Sequence, residues 1–468
     1  MMMHQRLILL FISLFAFAGL FAQNSDTSRY ISDIKIEGNK KTKDFIVLRE
    51  LMVEIGKSYS LDEVQGLIML SRQNLINTSL FHSADLSLIQ AQDSSFQLIV
   101  KLVERWYLWP IPQIDIDERN FNVWWEHKRL DRLSAGINLT QTNFRGRQEQ
   151  LSLIFMAGYN QQYGVNYLIP YFNKSKSLGL GFNALWSGRH EVIAMTFEDK
   201  QVFYKDVNQY VRKEFKSGVY LQFRRNFFTT HLLEFSFQND QLSQGLLDSA
   251  ENYSFKKESN LSFFNIYYKL KIDRRDFKIY PLKGYYADIE IFKHGLGILP
   301  NGGMNLWDLK TTLRKYWQLS DRFFFAAGGI GKISNYGSTP YLLQKSLGYG
   351  RDFVRGYEYY VIDGRYYGVL KTNIKYAIFK DKVLKINKIK TNKFNTIPWA
   401  VYVNAFADAG GVSSDKDKNA TNRLPGTFIG SVGLGLDFTT YYDRVARIEI
   451  ARNKSGETGF FLHFIAPI

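Results

Sequence analysis

The chain of 468 residues has no cysteine. That excludes disulfides, thiolate metal sites and a lipid-modified N-terminal cysteine. Beyond the N-terminus it has no apolar run near the ~20 residues that a membrane-spanning helix needs. Histidine is scarce: His4, His82, His127, His190, His231, His294 and His463 show no close pairing. A Gly-x-Ser-x-Gly nucleophile elbow is also missing. No catalytic residue, no metal site and no cofactor is therefore expected, and the chain reads as a non-enzyme. The formal net charge is +16, but the basic residues are dispersed rather than gathered on one patch, so no nucleic-acid partner is expected.

What is present points to an exported protein. Residues 1–22 carry His4 and Arg6, an apolar run from Leu7 to Phe21, and Ala22 before Gln23, the pattern of a secretory signal peptide. Residues 23–29 form a short leader. Aromatic residues make up 16% of the chain, with 29 Tyr and 37 Phe, which suits the interfacial girdles of a transmembrane β-barrel. Such a barrel turns half of each strand to a polar lumen, so its mean hydropathy stays near that of a soluble protein, here −0.23.

Residues 30–106 read as a compact α/β module. Ile31, Ile34 and Ile36 lead into the turn Glu37-Gly38-Asn39-Lys40. Thr42 is placed to cap a helix carrying Phe45, Val47, Leu48 and Leu51. Ser60-Leu-Asp-Glu63 is a capping box for a second helix with Val64, Leu67, Ile68 and Leu75 at helical spacing. Strands are expected near 84–89 and 96–104.

A linker is expected over 107–130, because residues 106–112 are rich in Trp and Pro. From 131 to 468 period-two alternation dominates, in segments of about ten residues where soluble strands average five or six. Phe264, Ile266, Tyr268, Leu270 and Ile272 face one way; Asn265, Tyr267, Lys269, Lys271 and Asp273 face the other. About 16 strands are expected, the first at 131–143, one at 190–205 and the last at 458–466. Strand parity puts the tight connections Asn160-Gln161, Gly188-Arg189, Leu319-Ser320 and Thr440-Tyr441 on the side of the N-terminal module, and the long ones at 240–256, 334–364 and 409–426 on the far side. Residues 380–393 break this rule. They lie on the near side yet are long, with Lys380, Lys382, Lys385, Lys388, Lys390 and Lys393, and are read as a contact for anionic headgroups or an acidic partner.

Residues 347–357 cannot be an ordinary membrane strand: three glycines and three charges interrupt the alternation. Within them Val354-Arg355-Gly356-Tyr357 resembles the loop signature of the BamA/TamA superfamily, the bacterial surface antigen family. Phe406-Ala-Asp408-Ala-Gly410 resembles the strand motif that receives that loop's arginine. Ile36-Glu-Gly-Asn39 and Asn77-Thr-Ser-Leu-Phe81 resemble a POTRA domain, present here in one copy. Asp273-Arg-Arg-Asp276 with Pro281-Leu-Lys-Gly284 resembles a turn of the same superfamily.

The resemblance implies a transmembrane β-barrel of about 16 antiparallel strands behind a small α/β POTRA domain. The barrel would be integral to the outer membrane, with the POTRA domain in the periplasm and loop 334–364 folded inward. It implies a protein assembly, insertion or translocation factor whose POTRA edge takes client or partner strands. It also implies a weak seam between the first and last strands, with residues 131–143 as one side. Outer-membrane lipid, periplasmic client or partner polypeptides and accessory envelope proteins are the implied partners. Two other readings stay open: a secretion pore exporting one partner polypeptide, and a structural barrel subunit of an envelope complex.

Overall fold

The structure, a computed structural model, describes residues 28–91, 95–116, 133–299, 304–335, 340–344, 346–389, 391, 394–413, 421–440 and 444–464. The expected signal peptide, most of the leader, Lys390, Lys393 and the C-terminal Pro467 lie outside the described residues.

The N-terminal domain is a sheet covered by two helices. Strand β1 (Arg29–Glu37) is followed by helix α1 (Asp44–Leu48), the short β2 (Ser58–Tyr59), helix α2 (Leu61–Asn77), β3 (Phe81–Gln90) and β4 (Phe96–Glu104). The sheet order is β2-β1-β4-β3, with β1 parallel to β4, so β3 is an edge. Ser60 caps α2 as its sequence requires, accepting from the Glu63 amide at 3.3 Å. Thr42 does not cap α1. Its hydroxyl and amide donate instead to the buried Glu104 carboxylate, at 2.8 and 2.7 Å. Gly38 has φ +93°, and a Cβ there would stand 2.0 Å from the Leu102 carbonyl oxygen, which explains the glycine after β1. Ile31, Ile46, Val64, Leu75, Phe81 and Leu98 fill the core.

The second sheet has 16 strands, each antiparallel to its neighbours. They are β5 (Leu108–Ile116), β6 (Leu133–Phe144), β7 (Glu149–Gly158), β8 (Gln161–Ile169), β9 (Leu178–Arg189), β12 (Arg212–Arg224), β13 (Thr229–Leu242), β14 (Asn260–Asp273), β15 (Gly284–His294), β16 (Leu306–Gln318), β17 (Phe323–Ser334), β18 (Tyr366–Lys385), β19 (Thr396–Val412), β20 (Phe428–Thr440), β21 (Arg444–Asn453) and β22 (Thr458–His463). The count agrees with the sequence, but through two offsetting differences. The stretch read as a linker contains β5, whose residues pair with β6 from Leu108↔Gln141 to Ile116↔Leu133. The segment 190–205 leaves the wall instead, as a separate hairpin of β10 (Glu191–Phe197) and β11 (Lys200–Lys205). Residues 131–143 are therefore not the first strand. With β5 ahead of them, Asn160-Gln161 and Gly188-Arg189 move to the far mouth. The parity of later strands is unaffected, because the lost strand and the gained one cancel.

The wall is inside-out relative to a soluble protein. In β21, Arg447, Glu449 and Asn453 are buried, while Ile448 and Ile450 are 42% and 52% exposed. Leu370, Leu434 and Phe438 on neighbouring strands are likewise exposed, so an apolar belt faces outward. In water that belt would cost about 25 cal/mol per Å² of apolar surface, so the surroundings it fits are hydrocarbon.

The N-terminal domain sits across the near mouth. The Lys43 amide donates to the Gly146 carbonyl at 2.9 Å, and Asn143 donates to Thr42 at 2.9 Å. Glu50 forms a bidentate pair with Arg224, one arm at 2.8 Å. The Arg49 guanidinium lies 3.8 Å from the centre of the Tyr171 ring. Asn77 meets the turn after β14, and Trp106 touches Phe394 beyond β18.

Candidate functional site: the latched loop and its charged wall

The loop between β17 and β18 enters the lumen. Its base is closed by Leu347 and Ile362, which exchange backbone hydrogen bonds at 3.3 and 2.9 Å. Two of its glycines need their freedom. Gly348 (φ +91°) would bring a Cβ to 2.2 Å from the Tyr360 carbonyl oxygen, and Gly356 (φ +84°) lies flat against β20 and β21. These turns leave Val354 and Tyr357 buried in a cluster with Ile330, Val369, Val412 and Ile429. The loop is thus held by apolar packing as well as by charge.

Arg355 is fully buried. Its Nε and Nη2 donate to the two Asp408 oxygens at 2.8 and 2.6 Å, its Nη2 also to the Thr372 carbonyl at 3.1 Å, and its plane lies 3.8 Å from the centre of the Phe406 ring. The strand motif is accounted for residue by residue. Asp408 supplies the planar acceptor that a guanidinium fork matches, and Phe406 supplies the ring face. Gly410 leaves room for the loop, since a Cβ there would stand 3.0 Å from Val354 Cγ2.

The pair belongs to a larger network that the sequence reading missed. Arg355 Nη1 and Arg447 Nη1 both reach Glu449 Oε1 at 3.4 Å, and Arg447 holds Asp437 with a bidentate bond, one arm at 2.6 Å. All five charged side chains are shielded from solvent. Tyr280, from the turn between β14 and β15, donates to Asp437 at 2.6 Å. The same turn meets the N-terminal domain. Asn77 donates to the Asp276 carbonyl at 3.0 Å, while the Lys278 amide and ammonium donate to the Asn77 side chain and carbonyl at 3.2 and 3.0 Å. The backbone of the turn therefore joins the domain's contacts at Asp276 and Lys278 to Tyr280, from which hydrogen bonds run through Asp437, Arg447 and Glu449 to the arginine of the loop. Burial lowers the pKa of Lys278 and raises that of Asp276 in this turn. Inward parity of Arg447 and Glu449 against Ile448 and Ile450, set opposite Asp437, is the signal that would have found the wall.

The β10–β11 hairpin lies at the far mouth, against the loops that follow β17 and β19. Asp199, at its tip, accepts from the Arg423 and Leu424 amides at 2.9 and 3.2 Å, and its carbonyl accepts from the Val361 amide at 2.9 Å. Thr196 meets the hydroxyls of Tyr341 and Tyr349 at 3.0 and 2.9 Å, and Tyr349 bonds Asp363. Burial raises the pKa of the Asp363 carboxyl.

Among the described residues, the lysines of 380–393 have different surroundings. Lys380, Lys382 and Lys385 lie on the end of β18, and Lys388 is exposed beyond it. The Lys380 ammonium leans to within 5.9 Å of the inward ring of Phe324. Lys382 pairs in register with Trp399, which packs on Phe379 and Phe438 of the outer belt. Lys385 lines a cleft shared with His82, Ser83 and Val103 of the N-terminal domain.

The chain matches the Omp85 superfamily domain over residues 143–441, and residues 29–105 match the surface antigen variable number repeat, a POTRA domain. No curated protein sequence matches it. Among solved structures it is similar to BamA from Haemophilus ducreyi lacking POTRA domains 1–3, at 17% identity and a TM-score of 0.51 over 93% of this chain and 83% of that one. It is also similar to CdiB from Escherichia coli, at 12% identity and a TM-score of 0.50 over 94% and 75%. At these identities the likeness concerns the fold. Superfamily membership supports a part in outer-membrane insertion or translocation. The chain is a member of the Omp85 superfamily, an integral outer-membrane β-barrel with one POTRA domain in the periplasm.

Proposed function

We propose that this protein inserts client polypeptides into the outer membrane at the edge of its barrel, rather than passing them through the lumen, and that it does so without bond chemistry. The carrying observation is the state of the lumen. The loop of Arg355 is latched inside it, the Asp199 hairpin lies over the far mouth, and the POTRA domain lies across the near one. A polypeptide travelling outward would have to displace all three. The sheet edge, in contrast, needs little disturbance: among the described residues no ladder joins β5 to β22. Periplasmic clients would first meet the free edge of β3, where an extended segment adds by main-chain hydrogen bonds.

Purified protein in proteoliposomes, supplied with an unfolded barrel client, tests the reading. Accelerated client insertion with no rise in ion conductance is the expected result. A client-gated conductance without insertion would favour the secretion pore. Neither activity, with stable co-purifying envelope proteins, would favour the structural subunit.

A further inference from the structure

The lipid-facing wall carries two cations and a trough that the charged lumen does not explain. Arg452 shares the outer face of β21 with the exposed Ile448 and Ile450, and Lys454 follows the last residue of that strand. Both are exposed, and among the described residues no carboxylate lies within ion-pair reach of either. Beside them the wall is unusually smooth. Residues paired in register across neighbouring strands share a face, and on the outer face of β16 to β20 one such row reads Thr311, Gly331, Gly368, Gly411 and Phe428. The next row crosses Gly329, Leu370 and Ala409 to Gly430, whose carbonyl accepts from the Lys454 amide at 2.8 Å. Between the rows lies a shallow apolar trough of about 420 Å³, flanked by the exposed Leu370 and Phe428. Its glycines have no internal cause. Neither Gly331 nor Gly368 has a positive φ; a Cβ on Gly331 would meet nothing nearer than Thr311 Oγ1 at 3.7 Å, and one on Gly368 nothing within 4 Å. Glycine weakens a strand interior, so where neither a turn nor a clash demands it, it marks a close approach from outside. Thr311 lies well inside β16, whereas Lys454 is past the end of β21, so the trough climbs toward the far mouth and ends in positive charge.

We propose that this trough holds one phosphate-bearing acyl lipid of the outer leaflet, its chain lying over Gly331 and Gly368 and its phosphate held by Arg452 and Lys454. An arginine on a lipid-facing strand is costly deep in hydrocarbon and nearly free at the headgroups. There its planar fork matches a phosphate with two parallel hydrogen bonds, and the lysine adds a second charge on a flexible stem. The cations thus select an anionic headgroup, and the trough selects a chain. A second copy of this protein would bring the same surplus of cations to the patch and no anion to meet it. The site is independent of how the barrel handles its clients.

Native mass spectrometry of the full chain, released from nanodiscs of equal phosphatidylglycerol and phosphatidylcholine with matched chains, tests the site. Phosphatidylglycerol should be retained several-fold over phosphatidylcholine. Arg452→Gln with Lys454→Gln should abolish that preference, while Gly331→Leu with Gly368→Leu, which fills the trough, should lower retention of both lipids. Lys213→Gln removes a cation from the same rim across the barrel, at the start of β12, and should leave the preference intact. Inorganic phosphate in excess should not displace the lipid, because it lacks the chain. No preference in the unaltered protein, or a preference that survives the glutamine pair, would overturn the proposal. An equal loss in Lys213→Gln would reduce it to a diffuse attraction of rim charge. Retention unmoved by the leucine pair, or displacement by inorganic phosphate, would remove the chain from the site and refute a lipid occupant. Compact migration of unboiled samples on detergent gels shows whether each variant is folded; should the leucine pair fail there, the glutamine pair and the phosphate competition still decide.

Discussion

The walls of the lumen on either side of the seam are unlike. On the side of β6 to β9 the inward positions include Gly136, Asn138, Thr140, Ser152, Gln162, Gly164, Asn166, Asn183 and Ser187, which are small or neutral. Their contacts are modest, such as Thr140 to Ser152 at 3.0 Å. On the side of β18 to β21 the inward positions include Lys371, Lys375, Asp408, Asp437, Arg447 and Glu449. The difference follows the loop. Where it docks, water is displaced, and each buried charge must then find a partner. Where no loop docks, neutral groups can be served by water at little cost. Paired charges also line β12 to β17, such as Arg212 with Asp240 and Lys269 with Asp288, so what sets the β18–β21 wall apart is that its charges close on the docked loop.

Breaking the charged wall should have the largest effect. Arg355→Ala or Asp408→Ala leaves an unpaired buried charge, a loss of roughly 3 kcal/mol. Both should lower the temperature at which unboiled protein loses its compact migration on detergent gels, and expose residues 347–357 to protease. In a double-mutant cycle the pair should lose clearly less than the sum of the singles. Simple additivity would mean that the two side chains do not act as one latch. Asp408→Asn, which keeps shape and removes charge, should fall between the native protein and alanine. An equivalent change on the neutral wall, Thr140→Ala, should move neither measurement appreciably.

A smaller loss is expected from Tyr280→Phe. The ring keeps its contact with Tyr402, at 4.9 Å between centroids, and only the bond to Asp437 disappears. A hydrogen bond to a charged group contributes about 1.5–3 kcal/mol. If the turn truly ties the POTRA domain to the charged wall, Tyr280→Phe and Asn77→Ala should each raise protease access to the loop, and together should do little more than either alone. Additive effects would reduce the series to unrelated contacts.

How much of this could be read from the chain depends on whether the information was local. Arg355 and Asp408 were legible because each sits in a short contiguous motif, Val354–Tyr357 and Phe406–Gly410. The period of two made the barrel legible for the same reason. Asp437, Arg447 and Glu449 were not recognised, because their meeting depends on the register of β20 against β21, which no single strand contains. β5 was hidden by its prolines: they exclude a central strand, and only the tertiary structure says that this one is an edge. The hairpin at 190–205 alternates like a wall strand. Its turn, Glu198-Asp199 with φ +50° and +57°, lacks the Asn-Gly or Asp-Gly pair that would have announced it.

The smallest effect should come from the lysines beyond β18, since exposed charges contribute little singly and are screened by salt. The register divides them, and so divides the prediction. Lys382 shares a face with Trp399 and the aromatic belt, where an ammonium on a flexible stem can reach lipid phosphates. Lys382→Gln should weaken partition of the protein's isolated β18–β19 end into anionic surfaces only slightly, so the useful measure is competition in mixed nanodiscs, where the native protein should enrich anionic lipid more than the variant. Lys385 instead faces the cleft with His82 and Ser83, and Lys385→Gln should leave lipid enrichment unchanged while reducing capture of an acidic peptide beside the POTRA domain. Both effects should fade as salt is raised. If the two variants behave alike in both assays, the faces are not distinct in solution, and the hairpin acts as one undivided basic patch.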